Sequence, residues 1–405
     1  MTDIELLKKK RWSYLIIGMI LLLFLGLIYA WSVFRAPLEA EFGWTKSQTS
    51  VTFSISIMMY CLGGFAGGMI TGKKGHRVTL ALCAACLLAG FVLSSRVETL
   101  AGIYVSYGVF CGFGVGLGYN AAISTLVRWF PDRQGFISGT ALMGYGFGAM
   151  VLGTAGAKMI QMMGWRQTFV IFAIAFAAIV LLCSALMRPA PQSFVDAMVT
   201  EGGKASPSVE ELEPAQMLRR RNFWIYFMWA IVMSAAGLAI LNDVAPFAQS
   251  VLGCSLTKAA AVAGIVSIFN GIGRVIAGLV YDRTGYRPTM LTADGLFVIA
   301  GALLILSLST GSYAVLVTAF AVTGTAYGFV PPTNSAFAAY FFGRKNYPVN
   351  FSLVNLNLLI ASYLGPLCGG GSYMRTFAFI IAFAVIAFVL TCMIKRPERA
   401  GKERD

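Results

Sequence analysis

Residues 68–77 read GMITGKKGHR, and residues 278–287, 210 positions later, read GLVYDRTGYR. Both decapeptides have glycine at their first and eighth positions and arginine at their tenth, and each follows a long apolar stretch. A basic turn with glycines explains either one alone, but the equal spacing in two places indicates an internal duplication. A weaker echo, RWFPDR at 128–133 and YFFGRK at 340–345, supports the same interpretation.

The composition indicates a chain that lies in a membrane. Of its 405 residues, 58% are hydrophobic and 12% are charged, whereas a soluble domain carries roughly 25% charged residues. A helix crosses a bilayer core of about 30 Å with about 20 apolar residues, and open strands would leave backbone groups unpaired in lipid. We therefore predict an all-α membrane protein with twelve transmembrane helices. The apolar stretches that form spans 1 to 12 are residues 14–34, 49–72, 78–95, 99–127, 136–160, 167–187, 223–247, 257–281, 288–308, 312–341, 348–371 and 374–394.

One long polar stretch, residues 188–221, divides six of these spans from the other six. It is rich in Pro, Gly, Ser and acidic residues, which is typical of a linker. We therefore predict an N-terminal six-helix bundle at 1–187, a cytoplasmic linker at 188–221 and a C-terminal six-helix bundle at 222–405. Two six-helix pseudo-repeats joined in this way are the architecture of the major facilitator fold.

The basic residues predict the orientation. If both termini are cytoplasmic, 23 of the 31 Lys and Arg residues lie on the cytoplasmic side and 7 on the outer side. We therefore expect a multi-pass protein of the cell inner (plasma) membrane with both termini in the cytoplasm. The net charge of +14 then faces anionic lipid rather than nucleic acid.

The apolar stretch AAAVAGIVSIFNGIGRVIAGLV, residues 259–280, contains one cation, Arg274. A buried arginine costs about 2.5–3.5 kcal/mol on membrane-insertion scales, so Arg274 is expected to bind an anion. Pairing with a buried acid and snorkelling to the interface are the alternatives. Asn270 lies four residues earlier on the same helix face. Its amide could donate to a bound carboxylate, hold the guanidinium, or simply pack.

Tyr29, Tyr119, Tyr145 and Tyr327 lie near the middle of spans 1, 4, 5 and 10. Tyrosines of the interfacial belt lie at helix ends instead. Because a buried phenol needs a partner for its hydroxyl, we predict that the four bind a small anion; ordinary core packing is the alternative.

Two acids lie within the predicted spans. Asp243 in span 7 could carry a proton or neutralise Arg274 in the empty state, or it could lie hydrated near the outer mouth. Asp294 in span 9 is expected to have a structural role, by capping or by pairing with Arg283 or Arg287. Cys83 and Cys86 form a CxxC inside an apolar helix and His76 is the one histidine, so we predict no metal, no cofactor and no enzymatic activity.

Three stretches together resemble the oxalate–formate antiporter family. They are IYAWSVFRAPLEAEFGW at 28–44, RWFPDRQGFISG at 128–139 and FNGIGRVIAGLVYDRTG at 269–285. That family is a branch of the major facilitator superfamily near the monocarboxylate transporters. The resemblance implies that oxalate-type substrates bind between a span-8 arginine, which falls on Arg274, and a span-11 lysine, with tyrosines at the four positions named above.

The span-11 lysine is replaced in this chain. Its position is taken by Leu358, and a neighbouring tryptophan becomes Asn355. Two carboxylates in a low-dielectric site need two cations, so a single cation suits a single carboxylate. We therefore predict a monocarboxylate substrate, with Leu358 facing its apolar end.

The sequence as a whole predicts a secondary transporter of small organic anions that works by alternating access. Lactate, pyruvate, formate and acetate are the expected kinds of substrate, with protons as a further possible partner and a monomer as the expected state. An oxalate/formate-type dicarboxylate exchanger and a cationic drug exporter are the alternatives. Proton symport, exchange and uniport stay open.

Overall fold

The computed structural model contains only helices and turns in the part of the chain that it describes. That part is residues 3–201, 211–241, 244, 247–249, 253, 256–369 and 372–396. The first ten helices are α1 Asp3–Leu25, α2 Trp31–Phe42, α3 Lys46–Lys74, α4 His76–Ser94, α5 Leu100–Ile103, α6 Gly112–Trp129, α7 Gln134–Leu186, α8 Gln192–Glu201, α9 Pro214–Arg219 and α10 Arg221–Leu241. The remaining six are α11 Leu256–Thr284, α12 Tyr286–Thr310, α13 Tyr313–Phe342, α14 Tyr347–Asn355, α15 Asn357–Gly369 and α16 Tyr373–Met393.

Each of the twelve predicted stretches falls on helix over most of its length. Ten of the described helices are long and apolar enough to cross a membrane. One of these, α7, has 53 residues, which corresponds to roughly 80 Å and is enough for two spans. Gly164 divides α7, because its φ of 80° interrupts the helical backbone. The all-α prediction is therefore confirmed for the described residues.

Several spans are irregular near their middle. A 3₁₀ turn, Gly26–Ala30, interrupts span 1, and a π-helical segment, Tyr104–Cys111, lies within span 4. Span 11 breaks at Leu356, between α14 and α15. The backbone of these three spans is therefore not uniformly α-helical.

The described residues form two compact units. Unit 1 holds those within 1–132, 144–206 and 346–356, and unit 2 holds those within 133–143, 207–345 and 357–405. The start of α7 thus belongs to unit 2, and α14 belongs to unit 1. The bundle boundaries at 187 and 222 stay a prediction.

Close glycine contacts build the core of each unit. In unit 1 a Cβ at Gly63 would overlap the carbonyl oxygen of Phe113. In unit 2 a Cβ at Gly324 would lie 2.5 Å from the carbonyl oxygen of Val266. The glycine runs therefore let helix backbones approach closely, as small residues do in membrane helices.

The predicted linker contains helices α8 and α9, and each of its ends packs on its own unit. In unit 1 the ring of Phe194 lies 5.3 Å from that of Trp129, whose indole N–H donates to the Arg188 carbonyl at 2.7 Å. In unit 2 a carboxylate oxygen of Glu211 accepts from the Lys345 N–H at 2.7 Å. The stretch 188–221 is therefore held in place near both of its ends, although its composition is typical of a linker.

Candidate functional site

Arg274 is buried in the middle of α11, with 5% of its surface exposed. Ten residues, roughly 15 Å of helix, separate it from the end of α11 at Thr284. Its Nε donates to Asn270 Oδ1 at 2.9 Å, so the guanidinium turns back toward the start of the helix. This direction is opposite to the one that snorkelling requires.

The guanidinium has donors to spare. Besides the bond to Asn270, its Nη1 donates to the carbonyl oxygen of Leu142 at 2.5 Å. A guanidinium carries five N–H groups, and the other three meet no acceptor among the described residues. Asn270, 7% exposed, likewise has no acceptor for its amide N–H₂ in the described part of the chain. Neither Arg274 Nη2 nor Asn270 Nδ2 is among the fully enclosed unpaired atoms of the described residues.

No carboxylate of the described residues pairs with Arg274. Asp282, two turns further along α11, accepts the backbone N–H groups of Gly135 and Phe136 instead. Asp294 accepts from Trp229 and Thr391. Asp243, which the sequence offered as a partner for Arg274, lies outside the described residues. The site in unit 2 thus combines the positive charge of Arg274 with the N–H donors of Arg274 and Asn270.

Close backbone packing holds Arg274 on two sides. A Cβ at Gly139, in the start of α7, would overlap the Arg274 carbonyl oxygen. A Cβ at Gly328, in α13, would lie 2.5 Å from the Asn270 carbonyl oxygen. Because backbone rather than flexible side chains makes these contacts, the turn that carries Asn270 and Arg274 is rigidly placed.

Three tyrosines cluster in unit 1, and sequence reasoning found only two of them. The rings of Tyr119 and Tyr145 lie 5.4 Å apart, and Tyr60 lies 5.3 Å from Tyr119 and 6.4 Å from Tyr145. All three are buried. Tyr60 lies at the midpoint of α3, so the argument from depth that selected the other tyrosines would also have found it.

The other predicted substrate residues are distributed over both units. Tyr327 belongs to unit 2, where a Cβ at Gly237 would overlap its ring. The side chain of Tyr29 lies outside the described residues. Asn355 is buried at the end of α14 in unit 1, whereas Leu358 is half-buried in α15 in unit 2.

The described residues contain no group of three or more His, Cys, Asp or Glu side chains that could hold a metal ion. The predicted CxxC pair, Cys83 and Cys86, are free cysteines. The absence of a cofactor stays a prediction.

Known proteins share this sequence over most of its length. The sequence profile of the Major Facilitator Superfamily matches residues 15–366. The chain is 25% identical over 394 residues to the oxalate:formate antiporter of Oxalobacter formigenes, which covers 95% of this chain and 92% of the relative. It is 28% identical to the uncharacterized MFS-type transporter YhjX of Escherichia coli (88% and 86% covered) and 27% identical to monocarboxylate transporter 4 of Rattus norvegicus (88% and 76% covered).

Solved structures show the same fold. The proton:xylose symporter XylE superposes with a TM-score of 0.70 at 16% identity, and the match covers 95% of each chain. The fucose:proton symporter FucP in its outward conformation superposes with a TM-score of 0.69 at 17% identity, covering 94% of this chain and 99% of FucP. These likenesses confirm the predicted major facilitator fold. The chain is a multi-pass membrane transporter that belongs to the Major Facilitator Superfamily.

Proposed function

We propose that this transporter carries small organic anions by alternating access, and that Arg274 binds the carboxylate. Monocarboxylates of the lactate, pyruvate, formate and acetate type are the proposed substrates. One observation carries the proposal: three guanidinium N–H groups and the Asn270 amide N–H₂ meet no acceptor among the described residues.

The chemistry of these groups favours an anion. A guanidinium presents two parallel N–H groups that match the two oxygens of a carboxylate, and such bidentate pairs are among the strongest hydrogen bonds in proteins. A buried cation without a counter-charge is costly, so a ligand that supplies the missing negative charge is bound strongly. Asn270 holds the guanidinium through its side-chain oxygen Oδ1. Its side-chain N–H₂ is left to donate to the same ligand.

The charge balance supports one carboxylate rather than two. Of the described arginines only Arg11 and Arg274 are buried, and Arg11 pairs with Asp132 at 2.6 Å. Arg274 is thus the one buried arginine of the described chain without a carboxylate partner. Leu358, where the oxalate–formate antiporter family has a lysine, supplies no second charge.

A dicarboxylate exchanger is the second candidate. The 25% identity to the oxalate:formate antiporter, over 95% of this chain, favours it. The two candidates differ in the number of charges that the site must neutralise, so the charge of the preferred substrate separates them.

Counterflow in proteoliposomes tests the proposal. Labelled lactate or formate is expected to exchange through the parent protein, and Arg274→Gln should lower the exchange rate at limiting substrate by about tenfold or more, since hydrogen bonds to charged groups contribute about 1.5–3 kcal/mol. Arg283→Gln, an exposed position on the same helix, is the control for loss of one positive charge. Equal exchange by the parent and Arg274→Gln would refute the role of Arg274.

Leu358→Lys tests the number of charges. If one cation selects one carboxylate, this variant should gain oxalate exchange relative to lactate exchange, and Leu358→Met should leave the ratio unchanged. A parent protein that already prefers oxalate would favour the dicarboxylate candidate.

The tyrosines are proposed as further donors to the substrate. Tyr→Phe at positions 119, 145 and 327 removes one hydroxyl without emptying the space, so each change should raise the substrate concentration that half-saturates exchange. Coupling through Asp243 and the monomeric state belong to the same proposal. So does a plasma-membrane location with both termini in the cytoplasm.

A further inference from the structure

Asp294 is a buried acid that the carboxylate site does not use. It lies in α12 with 1% of its surface exposed. Its Oδ1 accepts from the indole N–H of Trp229 at 2.9 Å, and its Oδ2 accepts from the hydroxyl of Thr391 at 2.8 Å. The sequence suggested Arg283 or Arg287 as partners, but both are exposed and neither bonds to it. The partners come instead from α10 and α16.

No cation of the described residues balances this carboxyl group. Its two hydrogen-bond partners are neutral, and an ionised carboxylate can accept about four bonds. An ionisable group placed inside a membrane protein without a counter-charge is a candidate for function. Asp294 therefore differs from Asp132, which pairs with Arg11, and from Asp282, which accepts backbone N–H groups of a helix start.

The same two partners can serve the neutral acid. When ionised, Asp294 accepts from both. When protonated at Oδ2, it still accepts the Trp229 N–H at Oδ1 and donates its own proton to the Thr391 oxygen, because a threonine hydroxyl both accepts and donates. A proton can thus bind while both contacts remain, once the Thr391 hydroxyl turns its own hydrogen to a carbonyl oxygen one turn earlier in α16, as threonines in helices do. The bonds to the neutral form are weaker.

The site lies toward one end of unit 2. Asp294 is eight residues, roughly 12 Å, from the start of α12, and Thr391 is two residues from the end of α16. At that end the exposed Cys392 offers its carbonyl oxygen to Arg287 at 3.5 Å. The exposed cations Arg287, Lys395 and Arg396 also belong to this end of the unit.

Other titratable groups stand on the helices around Asp294. Tyr226 lies behind Trp229 on α10, with ring centroids 5.4 Å apart. Tyr286 precedes Asp294 on α12, and Tyr340 of α13 contacts the Tyr286 ring at 6.1 Å. All three are phenols, so Asp294 is the one carboxyl group among these groups.

Hydrogen bonds and ring packing connect Asp294 with α13. Trp229 stacks on Tyr226, whose hydroxyl donates to Asn334 Oδ1 at 2.8 Å. Asn334 follows the Pro331–Pro332 pair within α13, and α13 also packs against the Asn270 backbone. A continuous series of contacts therefore links Asp294 with the helix that flanks Arg274.

We propose that Asp294 is a proton-binding site of unit 2, filled from the face where α12 begins and α16 ends, and that its occupancy sets the rate of transport. The transport readout rests on the proposed function, whereas proton binding itself does not. In the ionised state the carboxylate accepts strong hydrogen bonds from α10 and α16 and so holds these helices against α12. In the protonated state these hydrogen bonds are weaker.

Two measurements test the proposal. Infrared difference spectra of the purified protein over a pH titration should contain a carboxylic-acid C=O band that disappears in Asp294→Asn. The carboxylate exchange rate of the parent should change when the pH is varied on the side of the membrane where α12 begins and α16 ends. The exchange rate of Asp294→Asn should not vary with this pH and should equal the rate that the parent reaches at acid pH.

Thr391→Val keeps the shape of the threonine and removes one bond to the ionised form. The pH of half-maximal response should therefore move upward by about one unit. Thr318→Val, at an exposed threonine of α13, is the matched control and should leave the profile unchanged. If Asp294→Asn does not fold, the spectra of the parent and of Thr391→Val still decide.

The contrary outcomes are distinct. An unchanged infrared band and an unchanged pH profile in Asp294→Asn would show that the acid is only structural, even if carboxylates are exchanged normally. If the parent exchanges no carboxylate but the band titrates and is lost in Asp294→Asn, the proposed function fails and the proton site stands.

Discussion

Each unit holds the start of one helix against the end of another, and the two contacts use different chemistry. In unit 1 the start of α14 packs on α3, next to residues 68–77. In unit 2 the start of α7 packs on α11, next to residues 278–287. The contacts repeat the backbone geometry of the duplication: a Cβ at Gly68 would overlap the Pro348 carbonyl oxygen, and one at Gly278 would overlap that of Gly135.

The charge differs between the two contacts. In unit 2 Asp282 accepts the N–H groups of Gly135 and Phe136, both at 2.8 Å. These N–H groups belong to the first turn of α7, where backbone donors lack partners within the helix and a negative charge is favourable. In unit 1 Gly72 occupies the place of Asp282, and the Asn120 amide holds the Pro348 carbonyl oxygen at 3.0 Å instead.

A proline explains why a glycine suffices in unit 1. By its contact with Gly68, Pro348 stands where Gly135 stands against Gly278, and proline has no N–H to donate where Gly135 donates to Asp282. A carboxylate at position 72 would therefore lack one of the two donors that Asp282 has. Both copies of the duplicated segment therefore keep the close packing of a glycine against a backbone oxygen. The hydrogen bond beside this contact differs, because it depends on which donors the facing helix supplies.

The largest expected effect comes from the packing that the two contacts share. Gly68→Ala and Gly278→Ala place a methyl group against backbone oxygen, so each should lower the free energy of unfolding by about 3 kcal/mol. Gly72→Ala is the matched control, because its Cβ would meet only Val349 Cγ2, at 3.9 Å. The control should be neutral or stabilise by about 0.5–1 kcal/mol, since alanine favours helix. Melting temperatures of the three variants in detergent measure this, and equal effects at all three positions would contradict the packing argument.

The next effect separates the two contacts. Asp282→Asn removes the charge and points an amide N–H₂ at a backbone donor, so it should cost about 2 kcal/mol. The same thermal unfolding experiment measures the loss. Asn120→Ala, in the contact of unit 1, breaks a neutral bond and should cost about 1 kcal/mol. A cost for Asp282→Asn no larger than that for Asn120→Ala would remove the distinction between a charged and a neutral contact.

The smallest effect sharpens the comparison. Gly72→Asp alone should change the free energy of unfolding by less than about 0.5 kcal/mol, because Pro348 cannot donate. Gly72→Asp combined with Pro348→Ala restores the second N–H and should stabilise by about 0.5–1 kcal/mol relative to Pro348→Ala alone. Unfolding of the four members of this mutant cycle gives the coupling, and a coupling of zero would show that the missing N–H is not the reason for Gly72.

Much of the site in unit 2 was predictable from sequence, because it depends on positions along one helix. Arg274 stands out as a cation in an apolar stretch, and Asn270 follows from the helical repeat of four residues. Leu142 was not predictable, since a carbonyl oxygen supplied by another helix leaves no mark in the sequence. Tyr60 was missed although its depth in α3 was available.

Asp294 shows where sequence reasoning fails. Arg283 and Arg287 are near it in the chain and carry the complementary charge, so they were the natural partners to expect. The partners found, Trp229 and Thr391, lie 65 and 97 residues away. They are neutral, and only the packing of three helices brings them to one point.

Carboxylate binding by the purified protein tests the central claim most directly. Isothermal titration with lactate and formate should detect binding to the parent and to Arg283→Gln. The affinity of Arg274→Gln should be about tenfold lower or more. Equal dissociation constants for the parent and Arg274→Gln would contradict the claim that the Arg274 guanidinium binds the transported anion.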